Sequence, residues 1–246
     1  IISKHKLQSF IDILLDYWEV HPTIMGHGFS HVLRVAVEAY NLANENNMNN
    51  PVNYFLAGIY HDIYRPAEGS DASEEHHDEV VKIVRVILAK EGISTEDIDN
   101  ITEMIDLDLE SEVKKSQVIF SIADKITHDT VLADAYVWAS NNSLKKSGKP
   151  PRYTSHLITL YAFFIYQRKA WEIFIKHPVK GTERAIETYL NTIQITKDAY
   201  EKDKKGEHFF DYIDRSVERA RDIEIKSLHA FGRTEESVKK LMVNFY

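Results

Sequence analysis

The chain has 246 residues, 43% of them hydrophobic and 28% charged, with a formal charge of −8 and no cysteine. Such a composition is globular, not disordered, collagenous or membrane-embedded, and the missing thiols exclude disulfide scaffolds, zinc ribbons, iron–sulfur clusters and cysteine nucleophiles. The acidic balance argues against a phosphate-backbone binder, and so against nucleic acid as a partner.

Leu7, Phe10, Ile11, Leu14, Leu15 and Trp18 recur at helical spacing, which predicts a first helix ending before His21 and Pro22. After a loop through Gly26 and Gly28, Ser30 has the chemistry of an N-cap. The helix behind it carries Val32, Val35, Ala36, Ala39 and Ala43 on one side and His31 in its first turn. The Asn-rich residues 44 to 50 and Pro51 close it. Residues 52 to 62 read as an apolar helix that reaches His61 and Asp62 at its end, before Arg65 and Pro66. Asp71 with Glu74 makes a capping-box pattern ahead of a stripe of Val80, Val81, Val84, Ile87 and Leu88 that stops at Gly92.

Ser94 caps the next helix, with Ile98, Ile101 and Ile105 inward, and the acidic stretch from Asp106 to Glu112 ends it. Val118, Ile122 and Ile126 mark a helix that carries Asp124. A Lys, Gly and Pro cluster from Lys145 to Pro151 is a loop, followed by aromatic-rich helix up to Gly181. Thr182 then caps a stripe of Ile186, Tyr189, Leu190, Ile193 and Tyr200, and Val217, Ala220 and Ile223 to Ile225 predict at least one more helix. Nothing alternates as a strand, and no repeat or sustained heptad appears, so the fold class is all-α. The longest apolar run, Leu157 to Tyr166, falls short of the roughly 20 residues that cross a bilayer. With Lys4, His5, Lys6 and Asp12 mixed into the first segment in place of a signal sequence, the expected location is the cytoplasm. The aromatic run from Tyr153 to Phe174 reads as core or as the face of a homodimer.

A metal site without thiolates needs several N and O ligands drawn from separate elements, because one helix cannot surround an ion. His31 opens one predicted helix, His61 and Asp62 end the next, and Asp124 sits in an apolar helix where a carboxylate is costly without a partner. Each residue alone reads as incidental: a helix start, a solvated helix end, a salt bridge. His27 stands four residues before His31, on the same face if the helix extends back through Gly28, and is a candidate to support the site or face a substrate. His177, His208 and His229 have no partner pattern and read as structural.

Taken in order, Ser30-His31-Val32-Leu33-Arg34-Val35, then Ala57-Gly58-Ile59-Tyr60-His61-Asp62-Ile63, then Ile122-Ala123-Asp124-Lys125-Ile126 resemble the HD-domain superfamily, in particular its stand-alone bacterial and archaeal phosphohydrolases. The resemblance covers about residues 25 to 140. Length and periodicity fit a single helical domain over 1–246, in which this HD core is followed by a C-terminal helical extension over about 151–246 that matches no named pattern. The resemblance further implies that His31, His61, Asp62 and Asp124 hold a divalent cation, Mn, Mg, Fe, Co or Ni, with Asp62 also placed to orient the attacking water. Lys125, Arg34 and Arg65 are the nearest cations in sequence to steady phosphate oxygens. Two-metal members add two histidines before the last Asp. Here His76 and His77 offer the first of these, and Asp106 and Asp108 stand where the second is expected, so one ion is expected instead of two.

The activity this implies is hydrolysis of a phosphomonoester or phosphodiester in a small phosphorylated substrate, a nucleotide among them, by metal-activated water. Two other classes stay open: a di-iron oxygenase, against which the missing second histidine counts, and a non-catalytic regulatory protein that keeps the ion for stability.

Overall fold

The computed structural model describes residues 4–23, 27–64, 74–106, 113–127, 171–203 and 209–243. The fold is all-helical, with no strand among the described residues. Its helices are α1 (Lys4–Val20), α2 (Phe29–Glu45), α3 (Pro51–Tyr60), α4 (Glu74–Lys90), α5 (Thr95–Ile105), α6 (Lys115–Thr127), α7 (Thr182–Asp203), α8 (Phe209–Ala230) and α9 (Glu235–Leu241), with residues 171–176 also helical.

The centre of the fold is α3, buried on all sides from Leu56 to Tyr60. It packs chiefly against α2, which in turn lies against α6 and α8, while α5 covers another side of α3. The α2–α3 approach is set by Gly58: a Cβ there would lie 2.4 Å from the Ala36 Cα and 2.5 Å from the Ala36 nitrogen. Two small residues facing each other let the backbones come closer than larger side chains permit, and this is what brings the start of α2 near the end of α3.

Helix α1 fixes that end. Trp18, 2% exposed, donates its indole N–H to the Ile63 carbonyl at 2.8 Å, and the Tyr60 hydroxyl donates to the Phe10 carbonyl at 2.9 Å. The turn holding His61 and Asp62 is thereby tied to α1 from both sides. Arg233, ahead of α9, reaches Asp12, Asp16 and Glu19 on α1 and secures the C-terminal helices to the same scaffold. At the other end of α2, Asn46 exchanges hydrogen bonds of 3.1 Å with the Lys180 backbone, both N–H and carbonyl. Next to it Gly181, at φ +100°, takes a left-handed turn against Leu42.

Several local expectations change. Ser30 is not the N-cap of α2: the helix starts at Phe29, its cap is Gly28, and no side chain of its own closes it. Thr182 is the first residue of α7, and its hydroxyl accepts from the Val179 N–H, bracing the preceding turn instead of the helix's own amides. Leu190 is 57% exposed, off the packed face that Ala185 and Thr192 define. Ser94 does cap α5, accepting from the Asp97 N–H. Asp71 and the aromatic run up to residue 170 lie outside the described residues, as do the Lys145–Pro151 loop and His208.

Candidate metal centre

Four side chains from three helices converge. His31 comes from the first turn of α2, His61 and Asp62 from the turn that ends α3, and Asp124 from the last turn of α6. Asp62 Oδ2 lies 3.5 Å from His31 Nε2 and 3.1 Å from His61 Nε2. Asp124 Oδ1 lies 3.6 Å from His31 Nε2 and 3.8 Å from His61 Nε2. Asp62 and His31 are each 1% exposed. The buried Asp62 carboxylate, with the half-buried Asp124 beside it, is costly facing two imidazoles unless a cation, either protons or a metal ion, balances it.

The ring orientations are fixed from behind. His61 Nδ1 lies 2.9 Å from the Gly58 carbonyl, which can only accept, so Nδ1 carries the proton and the Nε2 lone pair turns inward. His61 Nε2 is buried, and none of its contacts has hydrogen-bond geometry. Thr127 donates to the Asp124 carbonyl at 2.7 Å, and its oxygen is 3.5 Å from His31 Nδ1, which favours the same tautomer there. A buried imidazole nitrogen aimed at carboxylate oxygens, with its far nitrogen bonded to a carbonyl, is the chemistry of a metal ligand.

His27, which precedes α2, is brought into the same cluster, though not by extending the helix. Its Nδ1 makes a 2.8 Å contact with Asp62 Oδ2, and the residue is 3% exposed. Its backbone carbonyl accepts from Thr23 at 3.1 Å. Two overlapping triads have ligand atoms within 4.8 Å of one another, His27-His31-Asp62 and His31-His61-Asp124; they share His31 and form one cluster.

Lys125 is also placed here, its Nζ 2.8 Å from Asp124 Oδ2 and its side chain 17% exposed. That pairing leaves Oδ1 for the cluster. Arg34 is exposed, with Nε 3.3 Å from the Ser30 carbonyl, at the outer side of the α2 start. Arg65 and Asp108 lie outside the described residues; α4 passes through His76 and His77, whose side chains also lie outside them. His177 is exposed at a helix end, and His229 meets the Arg233 carbonyl and Glu235, away from the cluster.

One participant carried no sequence signal. Glu224, on α8 and 4% exposed, accepts hydrogen bonds from the backbone N–H groups of Phe29 and Ser30, the latter at 2.8 Å. Burial pushes its carboxyl above the usual range, against the downward pull of Ser30, Phe29 and the Arg34 charge. Among the histidines, burial lowers His31 and outweighs its Asp62 contact. For His61 burial is again the largest single influence and lowers it, but the charges of Asp62 and Asp124 and the Gly58 carbonyl together raise it. The cluster therefore holds a proton on His61 more readily than on His31.

Fold and cluster define a class: an all-helical protein with a buried His/Asp group able to hold a metal ion. The match to known families is more specific: residues 28–129 match the HD domain family. That span contains His31, His61, Asp62 and Asp124 and stops short of the helices α7 to α9. No curated protein and no solved structure gives a significant match to the chain.

Proposed function

We propose that this protein is a metal-dependent phosphohydrolase acting on a small phosphorylated substrate, with nucleotides the first class to test. The observation that carries the reading is the convergence of His31, His61, Asp62 and Asp124 from three helices, with the His61 Nε2 lone pair buried and aimed inward. These four would hold one divalent cation, and their N and O donors suit Mn, Mg, Fe, Co or Ni. Such an ion, when bound, acidifies a water for attack near neutral pH and offsets charge on a phosphoryl oxygen.

The chain's own residues supply the remainder. The Gly58 carbonyl and Thr127 hold the two imidazoles in the tautomer that offers Nε2. His27 fixes the rotamer of Asp62, so that this carboxylate has a defined direction from which to orient a nucleophile. Lys125, partly buried beside Asp124, is the cation best placed to meet a phosphate oxygen, and Arg34 stands on the exposed side of the α2 start. His27 is engaged with Asp62, and both triads draw on His31, which supports one ion over two.

The test is release of phosphate or pyrophosphate from nucleoside mono-, di- and triphosphates and from a phosphodiester, with each divalent ion, for the native chain and Asp62→Asn. Turnover that needs the ion and disappears in the folded variant supports the reading. Ion binding without turnover on any phosphoester overturns it and returns the oxygenase and regulatory classes.

A further inference from the structure

We infer that Glu224 is a positioning residue of the metal centre: from the C-terminal part of the chain it clamps the first turn of α2, and so fixes His31. The inference rests on the reading of the cluster as a metal site.

The opening turn of α2 lacks a cap of its own. Gly28 has no side chain to offer, and Ser30 lies inside the helix, past the position from which a hydroxyl closes it. Within the turn, the Gly28 carbonyl accepts from the His31 and Val32 N–H groups, at 3.1 and 3.2 Å. The N–H groups of Phe29 and Ser30 remain, and both carboxylate oxygens of Glu224 take them. The two helix-start amides, with the dipole behind them, offset part of the desolvation of a carboxylate that is 4% exposed. Two contacts hold α8 in place over this turn: its packing along α2, and the edge-to-face pair of Phe29 with Phe231 at 5.0 Å.

The clamp grips residues on both sides of which the cluster's histidines lie. His31 follows Ser30 directly, and His27, which steers Asp62, is two residues before Phe29. The end of α3 is held from α1 and the first turn of α2 from α8, both outside residues 28–129, so the cluster draws support from either side of that span. The C-terminal helices thus complete the site without supplying a ligand. In Glu224→Gln one limb of the side chain presents a donor to an N–H and loses that bond; in Glu224→Ala both bonds go.

The test measures Mn²⁺ affinity by calorimetry, and amide hydrogen exchange over residues 27–33 in the metal-free protein, for the native chain, Glu224→Gln, Glu224→Ala and Leu228→Ala. Leu228 is buried one turn further along α8 and loosens that helix without touching the clamp. The expected result is a loss of Mn²⁺ affinity of about tenfold or more in Glu224→Ala, a smaller loss in Glu224→Gln, and faster exchange in both. Leu228→Ala, even with an equal fall in melting temperature, is expected to keep both near native. Unchanged affinity and exchange in the Glu224 variants overturns the inference, as does an equal loss in Leu228→Ala. If Glu224→Ala does not fold, Glu224→Gln decides. A native chain that binds no Mn²⁺ overturns the metal centre instead, and the exchange data alone then decide the clamp.

Discussion

Replacing Gly58 by alanine should damage the metal centre more than the fold. The new Cβ would sit 2.4 Å from the Ala36 Cα and 2.5 Å from its nitrogen, both backbone atoms of α2 that no rotamer change can move aside. Restoring ordinary contact distances requires α2 and α3 to part by about 1 Å. Overpacking of this kind costs about 1–3 kcal/mol, and alanine's better helix propensity returns about 1 kcal/mol. The net loss of stability is therefore about 0–2 kcal/mol, a fall in melting temperature of a few degrees for a chain of this size. The same displacement separates His31 on α2 from His61 and Asp62 at the end of α3, and His61 moves with Gly58 because its Nδ1 is bonded to the Gly58 carbonyl. Loss of correct ligand positioning costs about 10- to 100-fold in metal affinity. Calorimetric titration with Mn²⁺ beside thermal unfolding should show affinity down by about 10- to 100-fold with a shallow change in melting temperature. A variant with native affinity would refute the claim that this close approach sets the ligand spacing.

Three further outcomes follow from the same geometry. Trp18→Phe keeps an aromatic side chain but gives up part of its buried volume and leaves the Ile63 carbonyl without its 2.8 Å donor, so denaturant unfolding should show a loss of about 1–3 kcal/mol or more; an unchanged midpoint would mean that water replaces the indole. Asp97, whose carboxylate accepts from Asn53, Ser94 and Asn50, is held below its ordinary value of 3.8. A lowered folded pKa gives stability that is present above the unfolded value and lost as pH falls through the folded one. The gap between the native chain and Asp97→Ala should thus be about 1 kcal/mol at neutral pH and narrow below pH 3.8, and a gap that stays constant down to pH 2.5 or so would contradict this. Finally, His61 is raised from 6.5 and must shed its proton to offer Nε2, so ion binding near neutral pH should release protons and weaken as pH falls through the raised pKa. Titrations in buffers of different ionisation enthalpy measure that release, and heats independent of buffer would count against the raised value.

The parts of this molecule legible in the sequence were those whose causes are local. The stripe from Leu7 to Trp18, the Ser94 cap and the stop at Gly92 depend on residues a few positions apart, and the structure has them where spacing predicts. The cluster of His31, His61, Asp62 and Asp124 was legible only as an ordered set, because each residue alone is unremarkable. What spacing could not reveal depends on contacts distant along the chain. Ser30 looks like an N-cap because caps are normally local, but here the cap comes from Glu224, 194 residues away. The role of Gly58 depends on Ala36, 22 positions earlier in the chain, which stands against it. His27 reached the site through Asp62, not through the helical spacing to His31 that first drew attention to it.

The central claim, that these four side chains hold a divalent ion, is tested most directly by anomalous diffraction from crystals grown with Mn²⁺. The account predicts one peak, at about 2.0–2.3 Å from His31 Nε2, His61 Nε2 and an oxygen of each of Asp62 and Asp124. No peak in the cluster at saturating Mn²⁺, or a peak only elsewhere on the protein, would contradict it.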